Sequence, residues 1–599
     1  MRPFKSFQTP DMKVYRIYVL LALALTVSSA GCKKILEPNN DDHSTFNRVY
    51  DDPSFAEGLL ITAYTLIPTN DYKYDEVATD DAVTNDKFSD LMKMATGGWS
   101  ALSNPENVWD NCNKAILYIN RFLDVVDTVT WKRTNPQLNE LYNRRLKGEA
   151  YALRGLFKYY LLRNHAGYDA SGALLGFPIY DKFLSSEADF SQPRASFSES
   201  VKSAYADLDT SLRFLSADYG NLSDLNELPP GFGTITDIGD YNTVFGDVTQ
   251  QRISGRHARA LKARLALLAA SPAFNEGNNV RLWEDAADYT AGLLDDIGGV
   301  GGLDPQGAGF YLKQQVDDAN LTSGDKKDIG EILWRRPIYN NHQREQDNFP
   351  PSLYGNGEIN PSQNLVDAFP MANGYPIDAQ GSGYDPAKPY DNRDPRLSLY
   401  IVYNGSTMKG QTIGTAAGSG DDAIDNLQNG TRTGYYLRKL LREDVNVNPI
   451  SISDQKHYNT HIRYTELFLN YAEAANEAWG PDGRGSHAYS AKDVIAAIRK
   501  RAGIAQPDNY LASIATQEDM RTLIRNERRL ELCFEGFRFW DLRRWKADLT
   551  VPVKGVRISG GNYQYFTVEQ RNYNNSYMHY GPVPDKEIVK FHLTQNKGW

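Results

Sequence analysis

The sequence predicts a mainly α-helical protein: a scaffold of paired helices that carries long irregular loops, with little β-structure. Two observations lead there. Apolar residues recur at helical spacing in one segment after another. Between those segments lie stretches rich in Gly, Pro, Asn and Asp that are too long to be ordinary connections.

The chain starts with a basic stretch (Arg2, Lys5, Lys13, Arg16), an apolar run from Ile17 to Val27, and then Ser28, Ser29, Ala30, Gly31 and Cys32. This order reads as a secretory signal over 1–31, with an apolar run too short to span a bilayer. Small residues directly before a cysteine resemble a lipoprotein cleavage box, although Ser29 stands where Leu is usual. The expectation is that Cys32 becomes the acylated first residue. Each buried CH₂ of an acyl chain contributes about 0.8 kcal/mol, so several chains on one cysteine hold a protein to its membrane.

The helices follow in order: about 53–67, 107–127, 138–165, 197–216, 256–271, 281–295, 462–480, 490–502 and 517–535. The clearest is 462–480. Tyr464, Leu467, Phe468, Tyr471, Ala472, Ala475, Ala478 and Trp479 fall at i, i+3, i+4, i+7 spacing, and Gly480-Pro481 ends the run. Small residues stand where helices must approach closely, as at Gly148, Ala150, Ala152 and Gly155, and again from Ala260 to Ala270. Such pairs suggest tetratricopeptide-like packing. The loops are 218–250, 298–330, 337–362, 372–396 and 404–433. The expected division is 32–295 for an N-terminal helical-repeat part and 296–599 for a C-terminal part packed on it.

Composition narrows the function. The net charge of −10 falls to −13 without residues 1–31, because four cations and Asp11 leave with them. An acidic body disfavours nucleic acid and anionic lipid. Beyond Cys32, Cys112 and Cys533 remain, far apart in sequence and best read as small buried apolar residues.

Several motifs carry a resemblance. They are IRNERRLELCFEGFRFWDLRRWK (524–546), HIRYTELFLNYAEAANEA (461–478), DVIAAIRKRAGI (493–504) and YGPVPDKEIVKFHLTQNKGW (580–599). With them stand INPSQNLVDAFPMANGYPI (359–377), PYDNRDPRL (389–397), GEAYALRGLFKYYLL (148–162), GFPIY (176–180), AYTLIP (63–68) and CKKILEP (32–38). In content and order these resemble the SusD/RagB family, from Cys32 to Trp599. The resemblance implies a helical, tetratricopeptide-like fold and a lipoprotein on the exterior of the outer membrane. It also implies a SusC-like TonB-dependent transporter as partner, capture of oligosaccharides or sometimes peptides, and no catalysis or cofactor.

A glycoside hydrolase is the rival from another class, and a repeat scaffold that binds proteins is a further one. A hydrolase needs two carboxylates facing across a cleft, roughly 5–9.5 Å apart, one with a raised pKa. Glu527, Glu531 and Glu535 share one helix with Arg525, Arg528 and Arg529, and Arg538, Arg543 and Arg544 follow. Cations at that density hold carboxylates ionised, so the segment reads as a structural ion-pair network with Trp540 and Trp545 over the arginine stems. No Gly-x-Ser-x-Gly, His-Glu-x-x-His or Gly-x-Gly-x-x-Gly motif is present. His457 and His461 lack a third metal ligand and read as exposed or capping. The acids Asp71, Asp75, Asp80 and Asp81, and Asp421, Asp422 and Asp425, read as solvated loops rather than calcium sites.

A sugar offers an apolar C–H face and a hydroxyl rim, so its site needs flat rings with Asn, Asp, Arg or Gln at the edge. Loop aromatics in such company are the candidates: Trp99, Tyr72, Tyr74, Tyr339, Phe349 and Tyr354, with Asn341 and Arg344 beside them. The resemblance places the site on the loop after the first helices and on loops ahead of the PSQ segment. Trp109 and Trp334 sit in apolar contexts and belong to the core.

Overall fold

The computed structural model describes residues 52–184, 190–319, 329–426 and 428–599. The expected signal segment, 1–31, and Cys32 lie outside the described residues.

The expected helices form as α1 (Pro53–Thr65), α2 (Trp109–Val125), α3 (Pro136–His165), α4 (Phe197–Ser211), α6 (Gly255–Ala270), α7 (Val280–Asp295), α8 (Tyr464–Trp479), α9 (Ala491–Arg501) and α10 (Gln517–Glu531). Two unexpected ones join them: α5 (Ile238–Phe245) within the stretch 218–250 expected as a loop, and α11 (Arg538–Arg544) after α10. Their starts obey local chemistry. The Asp52 carboxylate accepts from Ser54 N at 3.0 Å ahead of Pro53. Ser196 with Glu199, and Ser490 with Asp493, form reciprocal capping boxes on α4 and α9. At the end of α8, Gly480 takes φ +80.

Packing runs as a series. α1 packs on α2, α2 on α3, α3 on α4, α4 on α6, α6 on α7, α7 on α8, and α8 on both α9 and α10. The α7–α8 contact joins helices separated by the long stretch 296–463, so the helical stack continues past that insertion. The small residues work as expected. A Cβ at Gly155 would lie 2.7 Å from Leu208, and one at Gly148 would lie 2.6 Å from Leu215. Trp109 and Trp334 are buried in this core, and Cys112 and Cys533 are buried free thiols. Burial pushes the Cys533 thiol up to about 12.

The insertion is less irregular than its composition implies. It holds short helices at Gln343–Asn348, Gln363–Ala368 and Pro395–Tyr400, and small antiparallel strand pairs built around a second core of Phe349, Leu365, Phe369, Tyr400, Tyr435 and Leu437. A longer hairpin, Val553–Ser559 with Asn562–Glu569, turns on Gly560 and Gly561, both at positive φ. No helix among the described residues is long and apolar enough to cross a membrane.

The 524–546 segment is the buried network the sequence suggests. The Arg396 guanidinium meets Asp394 (2.6 Å), Glu527 (3.0 Å) and Glu531 (2.9 Å). Arg499 holds Glu527 (2.8 Å), Arg501 holds Glu531 (2.8 Å), and Arg463 and Lys439 hold Glu535 (2.7 and 2.6 Å). Burial alone would raise Glu531, but Arg501 and Arg396 outweigh it and hold it at about 2. Arg525 and Arg544 lie over Trp545 at 4.7 and 4.9 Å, and Arg163 lies over Trp540 at 3.8 Å. One network thus pins the insertion to α10 and, through the shared carboxylates, to α9.

Three loop expectations change. Asp80 and Asp81 are buried partners of Arg529 and Arg538 rather than solvated, and Asp75 accepts from the Trp540 indole at 2.8 Å. Asp422 is buried and accepts from Ser352 N at 2.8 Å. His457 and His461 are buried on strands, His457 against Glu345 (2.9 Å) and His461 against Thr69 (2.8 Å), so their spacing is not helical. In each case a partner distant in sequence supplies the compensation that makes burial affordable.

Candidate functional site

Two segments build the site: the loop that leaves α1 (66–93) and the stretch 336–361. Residues Ala82–Thr84 and Ile359–Pro361 pair antiparallel, Val83 opposite Asn360. Beyond this pair the Asn85 amide donates to the carbonyl oxygens of Asn356 and Gly357, each at 2.9 Å. The loops that follow on either side are therefore fixed to each other.

Each loop presents a ring. Phe88 is 83% exposed, at the head of a turn in which Asp86 Oδ1 accepts from Phe88 N at 2.9 Å. Tyr354 is 55% exposed, with φ +67 after the turn Pro351–Leu353 and its carbonyl held by Gln346 at 3.0 Å. A tyrosine in the left-handed region carries strain. Acidic residues stand near both rings along the chain, Asp86 before Phe88 and Glu358 after Tyr354. Glu358 is half-buried, and burial with the charges of Asp347 and Asp86 pushes it up to about 7. It therefore holds a proton over part of the neutral range and can donate as well as accept a hydrogen bond.

The same two segments hold a second cluster. Arg344 lies over the Tyr72 ring at 5.1 Å and donates to the Tyr339 hydroxyl at 3.1 Å and to Leu440 O at 3.2 Å. Tyr339 donates to Asn459 at 3.2 Å, with Arg336 over its ring at 5.0 Å. Tyr72 pairs with Thr460 at 3.0 Å, and burial pushes its hydroxyl up to about 12. Burial raises the Tyr74 hydroxyl too, and among the described residues it meets no hydrogen-bond partner.

The structure thus gathers Tyr72, Tyr74, Tyr339 and Arg344, and sets Tyr354 apart on the exposed lip. It does not bring the others there. Trp99 is 4% exposed, packed against Trp599 (4.7 Å), Phe539 (5.7 Å) and Tyr573 (6.0 Å), with its indole on Asn104. Phe349 is wholly buried in the second core. Asn341 accepts from Gln343 N at the start of its helix. Gly97, at φ +113, stands just ahead of Trp99, whose ring enters the buried cluster. Phe88 was absent from the expected set, although DKFSDL offers the signal: a lone aromatic among acids in the loop after the first helix.

Carboxylates with raised pKa also occur elsewhere. Burial, then Glu106, pushes Asp75 up to about 7. Asp75 and Glu106 line a cavity of about 50 Å³, room for a few waters and far short of a sugar ring. Among the described residues no group of three or more His, Cys, Asp and Glu is placed to hold a metal ion.

A profile of the SusD family matches residues 331–599, and one described as starch-binding associating with outer membrane matches 36–226. The chain belongs to the SusD/RagB family. A SusD-like protein of Formosa agariphila is 24% identical over 570 residues, covering 90% of this chain and 93% of that one. Among solved structures, a SusD-like protein of Bacteroides fragilis superposes with a TM-score of 0.68 at 24% identity, covering 92% of this chain and 98% of that chain. A SusD-like carbohydrate binding protein of the same species gives 0.65 at 19% identity over 90% and 98%. Surface glycan-binding protein A of Bacteroides fluxus gives 0.56 at 18% identity over 91% and 99%. At these identities the superpositions establish the SusD fold, and this SusD-family chain carries it over its described length.

Proposed function

We propose that this protein is a surface-exposed, non-catalytic glycan-binding lipoprotein, anchored through Cys32 to the outer membrane. It captures oligosaccharide or polysaccharide on the lip formed by Phe88 and Tyr354 and delivers it to a SusC-like TonB-dependent transporter. The observation that carries the reading is the pair of exposed rings on two loops tied by Asn85, with Asp86 and Glu358 beside them. Flat rings take the apolar face of a sugar, and carboxyl and amide groups take its hydroxyls. The Arg344 cluster ties the two segments together at Tyr72 and Tyr339, which supports loops whose geometry is set before the ligand arrives.

Two features support a non-catalytic role. The carboxylates of 524–546 are tied by guanidiniums, and the Asp75–Glu106 pair lies in a space too small for substrate. Calorimetry against a panel of glycans and peptides, with Phe88→Ala and Tyr354→Ala alongside, tests the reading. Glycan binding weakened about tenfold or more by either change supports it. Glycan binding unchanged in both variants, or binding of peptides alone, contradicts it.

A further inference from the structure

A third group of aromatics stands apart from the site above and shares no residue with it. Tyr390 stacks on Tyr403, with centroids 4.4 Å apart and planes 23° off parallel. Tyr563 meets Tyr390 edge-on at 6.1 Å. Tyr563 and Tyr565 stand two apart on one strand of the C-terminal hairpin, hence on one face. Tyr384 is near enough to both for its hydroxyl to raise theirs. All five rings are partly exposed, Tyr565 by 45%. Behind them the buried Tyr435 hydroxyl lies 3.2 Å from that of Tyr390 and donates to Gln363 at 2.5 Å.

The group is built, not incidental. The hairpin that carries two of the rings is fastened to the body by Val556 N on Thr433 O (2.8 Å) and Lys554 N on Asn364 Oδ1 (2.8 Å). Tyr403 is tethered to Ser398 at 2.9 Å. Tyrosine has few rotatable bonds, so rings held this way lose little entropy on binding. Exposed Asp391, Asn392 and Gln564 lie beside the rings in sequence. Apart from Tyr565, the group contains none of the large exposed hydrophobic residues of the described chain. A protein interface centres on a buried apolar anchor. Tilted, partly exposed flat rings suit the apolar C–H faces of pyranose rings.

We propose that Tyr384, Tyr390, Tyr403, Tyr563 and Tyr565 form a second carbohydrate platform, which holds a polysaccharide at a point separate from the Phe88–Tyr354 lip. The inference rests on the glycan-binding reading and adds a second contact along one chain. Two contacts on one polymer make the second event intramolecular and raise affinity without new contacts at the first.

The test uses the full chain purified in detergent, in affinity electrophoresis against amylopectin, laminarin, xylan and alginate. The polymer that retains the wild type is then titrated calorimetrically, together with its own hexasaccharide. Tyr563→Ala/Tyr565→Ala removes exposed rings from the hairpin, and an unchanged melting temperature certifies the fold. Tyr403→Leu, a single change, removes one ring of the stacked pair. Expected for the double variant is a loss on the order of a hundredfold for the polymer, with hexasaccharide affinity at the lip intact and stoichiometry halved. Tyr403→Leu should weaken the polymer in the same direction. Unchanged polymer affinity in both variants overturns the second platform and leaves the first reading standing. A wild type retained by none of the four polymers contradicts both. Retention of another protein, lost in the double variant while polymer binding persists, reassigns the platform as a protein interface and overturns the proposal.

Discussion

The Asn85 side chain donates to the carbonyl oxygens of Asn356 and Gly357, both at 2.9 Å, across 271 and 272 residues of sequence. Next to the strand pair of 82–84 with 359–361, this amide helps to fix the distance between the two loops that present Phe88 and Tyr354. Asn85→Ala removes both bonds and leaves two carbonyls to find water. Glycan affinity is expected to fall about tenfold, with the melting temperature within a few degrees of wild type. A variant that binds as tightly as wild type in calorimetry would show that the loops hold their spacing without this amide.

Arg344 is the keystone of the lower cluster, through Tyr339, Asn459 and Leu440 O. Arg344→Met keeps the stem and removes every donor. Hydrogen bonds to charged groups contribute about 1.5–3 kcal/mol each, so a destabilisation of about 2 kcal/mol in urea unfolding is expected. Glycan affinity should fall with it, because the loops lose their support. No change in either quantity would mean that Arg344 is bystander to the site.

Trp99 gives the contrasting case. Its ring is buried among Phe539, Tyr573 and Trp599. Trp99→Ala is expected to cost about 3–5 kcal/mol of stability. Folded variant protein, assayed well below its midpoint, should keep wild-type glycan affinity. A stable variant that no longer binds would return Trp99 to the ligand.

Stability should peak in mildly acidic solution. Glu531 and Glu473 are held at about 2 in the fold, below their ordinary range, by arginines that outweigh burial. Their contribution is complete above about pH 4.5 and lost as pH falls toward 2, on the order of 3 kcal/mol for each. Asp75 and Glu358 are pushed up to about 7, chiefly by burial. The fold binds their protons more tightly than the unfolded chain does, so stability falls as pH rises from about 4.5 through 7. Melting temperatures from pH 3 to 9 should show both limbs, and Glu358→Gln should flatten the upper one. A flat profile above pH 5 would contradict these environments.

The scaffold was legible because helices declare themselves locally. Tyr464 to Trp479 shows its period and Gly480-Pro481 its stop within a few residues of sequence, and Gly155 marks a close approach whose partner, Leu208, only the fold supplies. The 524–546 network was legible because its charges are too dense to be left unpaired. What escaped were long-range partners. Asp80 looks solvated until Arg529 and Arg538 arrive from the other end of the chain, and Trp99 looks exposed until Trp599 covers it. The hairpin at 553–569 did carry a local signal, Gly560-Gly561 between two β-rich runs. Phe88 emerged once the pairing of 82–84 with 359–361 set its loop beside that of Tyr354.

The central claim is capture without chemistry, and its most direct test is the fate of the bound glycan. The chain from Lys33 is titrated with the best-binding oligosaccharide of the panel and held for hours near neutral pH, and the sugar is recovered for mass spectrometry. The account predicts saturable binding, lost in Phe88→Ala/Tyr354→Ala, with every recovered molecule at its original length. Shortened products that vanish in Glu358→Gln would contradict it and make the lip an active site.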